Sequence, residues 1–463
     1  RRELVFPRQI RLFDVRENKD LGTGERFSFD LKKGDVKVVK KGFIGRFYPD
    51  KDGKNLFVLG RGVQKMELPS DKFTAVEFES EQKYRPADER AYIFEHVWRQ
   101  VKDKFYDKDI HGIDWKAIHD NYAAFLPSIN NNYDFQELLS EMLGELNGSH
   151  TGARYYATSK RNVGHLGVLF DVSHAEEGLK IAEVLPGSVL QQAVPTLKAG
   201  DLIVAIDGKK IEAGTQWYDA LCMKAGKRIC VSLSQPVVSK RTGKSNKTED
   251  SKVYVKAVYN DSDALYQRWV RRNEATVAKL SKGRVGYVHV EGMNSPSFRE
   301  VYSKALGKYR NCEALIVDTR HNGGGWLHDD LCTLLAGKEY QQFVPHGKYV
   351  GSDPFNKWTK PSCVLVCEDD YSNGHGFPWV YKTLGIGKLI GTPVPGTMTA
   401  VWWERLMDSS LVFGIPQVGC RDMDGKYNEN NQLYPDITVY NTPEDFINGY
   451  DRQLEEAVKE MMR

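Results

Sequence analysis

The sequence predicts a multidomain α/β protein: a β-rich N-terminal segment, a helical subdomain, a small β-barrel domain and a C-terminal α/β domain. Three observations predict it. The chain has 463 residues, room for three or four domains. Its apolar period changes from strand-like to helix-like near residue 83 and back near residue 161. From residue 261 onward strand and helix patterns alternate, which is how a parallel sheet covered by helices reads.

Residues 1–82 alternate in short stretches, at 36–39, 43–47, 56–59 and 64–68, with a turn at Asp50-Lys51-Asp52-Gly53-Lys54. Hairpins this short make no independent core easily, so the segment reads as an accessory sheet or the end of a larger β domain. Residues 83–160 hold three helical patterns. Residues 90–105 place Tyr92, Phe94, Val97, Trp98, Val101 and Phe105 at spacings near three and four; a second helix opens at Asp114-Trp115, and a third covers 133–146 before Asn147-Gly148 stops it. Residues 161–260 return to strands, with an exposed polar loop expected over 239–251. Residues 261–463 give strands at 285–290, 314–318, 362–367, 388–390 and 411–415. Helices are expected at 298–309, 327–335, 376–383 and, closing the chain, 446–462.

Composition excludes several classes. With 65 basic against 62 acidic residues the net charge is +3, so nothing draws the chain to nucleic acid or an anionic membrane. No run of about 18 apolar residues predicts a spanning helix. The chain opens on Arg1 with no signal-peptide pattern, which reads as a processed or cut protein. Its seven scattered cysteines do not suggest a disulfide scaffold and lean toward the cytoplasm; a removed signal peptide would instead mean a periplasmic or secreted protein. Cys363 and Cys367 have no second pair of matching spacing, so no metal site is predicted, and no cofactor.

Residues 197–208, Leu-Lys-Ala-Gly-Asp-Leu-Ile-Val-Ala-Ile-Asp-Gly, are similar to the signature of PDZ domains in peptidases. The upstream Gly164-His165-Leu166-Gly167-Val168 resembles their carboxylate-binding loop. The resemblance implies that His165, Leu166, Gly167 and Val168 meet a peptide, held by backbone N–H groups as an added strand. A small β-barrel with no peptide in it is the other reading.

At residues 363–378 an apolar strand runs into a polar turn holding Tyr371-Ser372-Asn373-Gly374-His375, and a helix follows. A serine there faces free N–H groups and the positive end of the helix dipole, which favour developing negative charge. Its ordinary job at such a junction is to cap the helix. His375 lies on the same short helix and reads as a packing residue rather than a base.

Three further segments resemble the tail-specific and tricorn-type serine peptidases of family S41. Residues 139–150 look like the helix and loop that carry the family's catalytic histidine; residues 316–325 match its Asp-x-Arg-x-Asn-x-Gly-Gly pattern; residues 424–436 resemble its stretch before a Pro-Asp step. Carried over, Ser372 is the nucleophile, His150 the general base, and Ser149 and Glu429 the groups that orient the imidazole. Gly324, with Gly325 beside it, and the amide of Asn373 then form the oxyanion hole. Residues 385–399 resemble the family's segment after the nucleophile helix and are expected to shape the cleft. No lysine follows Ser372 at the spacing of a serine–lysine dyad, and Asn373-Gly374 departs from the small-residue pattern of that branch, so the tricorn-like arrangement is the better fit.

The resemblance implies domains at 1–82, 83–160, 161–260 (PDZ-like) and 261–463 (a crotonase-like α/β peptidase domain). It further implies a serine endopeptidase or carboxyl-end-directed peptidase acting on unfolded polypeptides or oligopeptides, with assembly into a homo-oligomer an expectation. A catalytically silent peptide-binding protein is the alternative. No P-loop pattern and no Gly-x-Ser-x-Gly elbow is present, against nucleotide binding and the esterase class.

Overall fold

The structure, a computed structural model, describes residues 46–463 except 53, 61, 68, 69, 71, 80, 82, 158–161 and 239–244, together with the backbone of five short strands upstream. The chain divides into two units, Arg1–Arg85 and Pro86–Arg463.

In the first unit, Arg46–Pro49, Asn55–Leu59, Val63–Glu67 and Lys72–Val76 form a four-stranded antiparallel sheet. Val58 and Met66, on adjacent strands, are its fully buried side chains. Of the expected stretch 43–47, residues 43–45 lie outside the described residues.

The second unit begins with helices Pro86–Lys104, Trp115–Ala123 and Asn132–Gly144. Asp114 caps the second and Asn131 the third, each accepting a backbone N–H of the first turn. Their apolar faces pack around Phe94, Val97, Phe135, Leu139 and Met142. The same core takes in Leu411, Phe413 and Ile415 from far along the chain. That contact follows from a three-stranded sheet in which Ala153–Tyr155 pairs with Leu411–Gly419, which pairs with Thr399–Arg405.

The next layer is a barrel-like sheet ordered Val168–Phe170, Leu179–Val184, Leu202–Ile206, Arg228–Val238, Ser245–Lys256. Val168–Phe170 is its edge, and the short helix Trp217–Ala220 lies nearby. The polar loop expected over 239–251 is corrected: 245–251 is strand, paired with 233–238 with one register shift between Val237 and Val238. Backbone pairing needs no apolar side chain, so a run of Ser, Lys, Thr and acidic residues extends the hairpin. Residues 239–244 lie outside the described residues.

The last layer is a parallel sheet ordered Val285–His289, Ala314–Asp318, Ser362–Val366, Lys388–Gly391, Ile437–Thr438. Its three leading strands are buried at every residue, as a sheet covered on both faces requires. The expected closing helix is two helices, Pro443–Asn448 and Arg452–Met461, because Gly449 turns left-handed at φ 73° and ends the first. The helix after Ser362–Val366 starts at Asn373, three residues earlier than its apolar pattern, which makes Ser372 its N-cap residue. The strand Thr399–Arg405 and the hairpin of Gln341–Phe343 with Gly351–Asp353 were not anticipated.

Candidate active site

Neighbouring parallel strands end side by side at Asp318 and Val366, and the turns that follow carry two of the motifs. Crevices at the carboxyl ends of such strands are where open α/β sheets bind ligands. Asp318 is fully buried and pairs with Arg320, which also reaches Asp451 and Gln453. Burial works to raise the Asp318 carboxyl, and the Arg320 charge overrides it to hold the group below the usual carboxylate range. Asn322 sends its Nδ2–H to Val290 O at 2.7 Å and accepts the Gly324 N–H on Oδ1 at 2.8 Å. Of this motif, Asn322 thus braces the glycine turn, while Asp318 and Arg320 tie the end of the strand to Asp451 and Gln453.

That turn meets the Ser372 loop directly. The Tyr371 N–H donates to Asn322 O, and the buried Asp370 carboxylate accepts the Asn322 and Cys367 N–H groups. A Cβ on Gly324, where φ is +98°, would stand 2.5 Å from Ser372 Cβ, so only glycine fits this close approach. Ser372 itself has φ 58° and ψ −121°, a sparsely populated conformation for a side-chain-bearing residue. Its N–H donates to Thr397 Oγ1 at 2.9 Å. Its hydroxyl does not cap the helix it precedes, so the ordinary task of a serine in this position is left undone.

The His150 loop arrives from the helical layer. The strand Leu411–Gly419 passes so near that a Cβ on Gly414 would sit 2.3 Å from the His150 carbonyl oxygen. The His150 N–H donates to the Tyr371 phenol oxygen at 2.6 Å, and the two rings pack with centroids 4.7 Å apart. The imidazole is thereby held against the residue before Ser372. Among the described residues no hydrogen bond joins it to the Ser372 hydroxyl.

His150 Nδ1 lies 2.7 Å from Ser149 Oγ and 3.0 Å from Thr399 Oγ1. Ser149 Oγ donates to Glu429 Oε2 at 3.0 Å, and the Ser149 N–H donates to Oε1 at 2.5 Å. With its single proton directed to Glu429, Ser149 Oγ accepts from Nδ1, which puts the ring proton there and leaves Nε2 with a free lone pair. Burial lowers the His150 pKa to about 4, so the ring is neutral near pH 7. Burial also holds the Glu429 carboxyl above its ordinary range, against the hydrogen bonds from Ser149.

Asn373 opens the helix, and its N–H has no acceptor among the described residues; nor does that of Gly325. The Gly324 N–H, the donor carried over by resemblance, is engaged by Asn322 Oδ1. The Asn373 side chain crosses to the neighbouring helix His328–Leu335 and accepts the N–H groups of Leu327 and His328, capping it from outside. His375 is fully buried, and neither ring nitrogen has a partner among the described residues. It stands apart from the His150 network, as a packing residue does.

Sequence reasoning missed Tyr371, Asp370, Thr397 and Thr399. The two threonines lie in the stretch 385–399 that was singled out only as cleft-shaping. Among the described residues no group of three or more His, Cys, Asp and Glu side chains is placed to hold a metal ion. Also among them, no helix is long and apolar enough to cross a membrane.

Comparison with known proteins agrees with this architecture. Residues 86–144 match the tricorn protease C1 domain, 157–224 the PDZ domain and 284–439 peptidase family S41. The putative tricorn-like protease C-terminal subunit of Sulfurisphaera tokodaii is 28% identical over 390 residues, 81% of this chain and 43% of its own. Tricorn protease homolog 1 of Streptomyces coelicolor is 28% identical over 432 residues, 88% of this chain and 39% of its own. The tricorn protease of Thermoplasma volcanium is 25% identical over 451 residues, covering 93% and 42%. The chain therefore spans about two fifths of the length of these curated relatives. The crystal structure of the tricorn protease superposes with a TM-score of 0.79 at 23% identity, over 95% of this chain and 43% of that one. Along this chain a tricorn C1 domain and a PDZ domain thus precede a peptidase family S41 domain, which spans residues 284–439.

Proposed function

We propose that this chain is a serine peptidase that cleaves unfolded polypeptides or oligopeptides through an acyl-enzyme on Ser372. The observation that carries the reading is the relay from Glu429 through Ser149 to His150 Nδ1, with the ring held against Tyr371 beside Ser372. His150 Nε2 takes the Ser372 proton as Oγ attacks the peptide carbonyl, and returns it to the leaving amine. The free N–H of Asn373, at a helix N-terminus, and that of Gly325 receive the oxyanion. Gly324 contributes by close approach. The missing bond between the ring and Oγ is in keeping with sites whose catalytic hydrogen bonds tighten only when substrate is bound.

The seven unpaired thiols support a reducing compartment, the cytoplasm. Assembly into a homo-oligomer is part of the same reading, on the analogy of the family.

Ser372→Ala tests it. Cleavage of a fluorogenic peptide should fall by about 10³-fold or more, with the circular dichroism spectrum unchanged. A variant that keeps the parent rate would end the assignment. Labelling of Ser372 by an active-site phosphonate separates a peptidase from a silent peptide-binding protein.

A further inference from the structure

The seat that a PDZ loop offers a peptide's terminal carboxylate is already taken here, and by the chain itself. The Gly167 N–H, in the centre of the loop, donates to Asp261 Oδ1 at 2.9 Å. The other carboxylate oxygen, Oδ2, meets His165 Nδ1 at 3.0 Å. The Asp261 side chain is only 12% exposed. Asp261 is also the N-cap residue of the helix Ser262–Leu280, yet its side chain makes no capping bond. Aspartate is among the best N-caps. Its carboxylate therefore forgoes the nearest N–H donors and crosses to the loop.

Beside the filled seat an apolar groove stays open. It holds about 440 Å³ and is lined by Leu169, Phe170, Trp217, Leu221 and Leu265, with His165 and Asp261 at its head. The strand Val168–Phe170 is an outer strand of its sheet, so its far edge has no partner strand among the described residues. A peptide adding to that edge would pair its backbone and drop alternate side chains into the groove. Its carboxyl end, however, would meet an anion where a nest of free N–H groups is needed.

We propose that this groove takes an internal, extended apolar stretch of a polypeptide rather than a free C-terminus, with Asp261 acting as the built-in occupant of the carboxylate seat. Charge decides between the two ligands: a continuing chain brings a neutral peptide group to Asp261, and a terminus brings a second negative charge into a half-buried site. Calling that polypeptide a substrate rests on the peptidase reading. The groove chemistry does not, and on it the protein selects chains by exposed apolar segments and not by their ends.

The test uses the full chain carrying Ser372→Ala, so that probes stay intact, and fluorescence anisotropy with labelled decapeptides. One probe carries Val-Leu-Phe at its centre; two carry it at the C-terminus, as free acid and as amide. The internal probe and the amide should bind, and the acid should bind more weakly than the amide by about fivefold or more. Asp261→Ala empties the seat, and the acid should then bind about tenfold more tightly than the amide. Asp261→Asn, which keeps an acceptor for the Gly167 N–H and removes the charge, should shift the preference in the same direction. Leu169→Asp should abolish binding of all three probes.

A tenfold preference for the acid with Asp261 present would overturn the proposal. So would failure of the internal probe to bind, binding that survives Leu169→Asp, or an unchanged acid-to-amide ratio in both Asp261 variants. None of these readings depends on cleavage, so a failed peptidase assignment and a failed groove assignment give different results.

Discussion

Ser149 has one proton, and where it goes decides which nitrogen of His150 is bare. Donation to Glu429 makes the serine oxygen an acceptor for Nδ1–H, and Nε2 is then left without a proton. Burial adds a second condition by lowering the ring's pKa to about 4. A base is competent only when unprotonated, so the acidic limb of kcat/KM should fall near pH 4 and not near the ordinary 6.5. Ser149→Ala removes the relay and should lower the plateau by about a hundredfold through misorientation of the ring. A pH–rate series from 4 to 8 on both proteins reads the two effects together. A limb near 6.5 in the parent chain would mean that the imidazole sits in water.

At the scale of the element, the glycine turn and the Ser372 loop are packed too closely for any side chain between them. Gly324→Ala puts a methyl group 2.5 Å from Ser372 Cβ and 2.9 Å from Tyr371 O, at a φ of +98°. Overpacking and backbone strain together should remove about 2–4 kcal/mol of stability, measured by urea unfolding, and peptidase activity should fall as Ser372 is displaced. A fully active, fully stable variant would mean that the two loops part easily. The turn was readable through its resemblance to the Asp-x-Arg-x-Asn-x-Gly-Gly pattern, which follows the buried strand ending at Asp318. The pattern did not make the turn's amides readable. The Gly324 N–H is spent on Asn322, a side chain two residues away, and no spacing rule tells which of three adjacent glycines keeps its donor free. The start of the helix Asn373–Thr383 was hidden likewise, since Asn373-Gly374 carries no apolar period; tertiary contacts to Leu327 and Asn322 fix that first turn. Tyr371, Thr397 and Thr399 are ordinary residues whose partners lie 25–250 positions away, beyond the reach of local patterns.

Across the whole molecule, burial of uncharged histidine makes the fold sensitive to acid. His375 is enclosed with no hydrogen-bond partner among the described residues, and burial lowers its pKa to about 4. In the unfolded chain it titrates near 6.5. Between those values the unfolded state binds the extra proton, so stability falls as pH drops from about 6.5 to about 4. The His375→Phe variant lacks this term. Relative to the parent chain it should gain on the order of 2–3 kcal/mol between pH 7 and pH 4, read by urea unfolding at each pH. Asp370 and Glu429, whose carboxyls burial raises, titrate with the opposite sign and cancel in the comparison. An unchanged difference would mean that the ring gains a partner when charged.

One contact carries an unusual share of the site's geometry. The phenol of Tyr371 grips the backbone of the residue that supplies the imidazole, and the very next residue supplies the hydroxyl. The two walls of the gap are thus tethered by this short hydrogen bond, worth about 1 kcal/mol, and by the packing of the two rings. Thermal motion parts and rejoins such a tether readily, so the gap can widen to admit a chain and narrow again without any large movement of the layers around it.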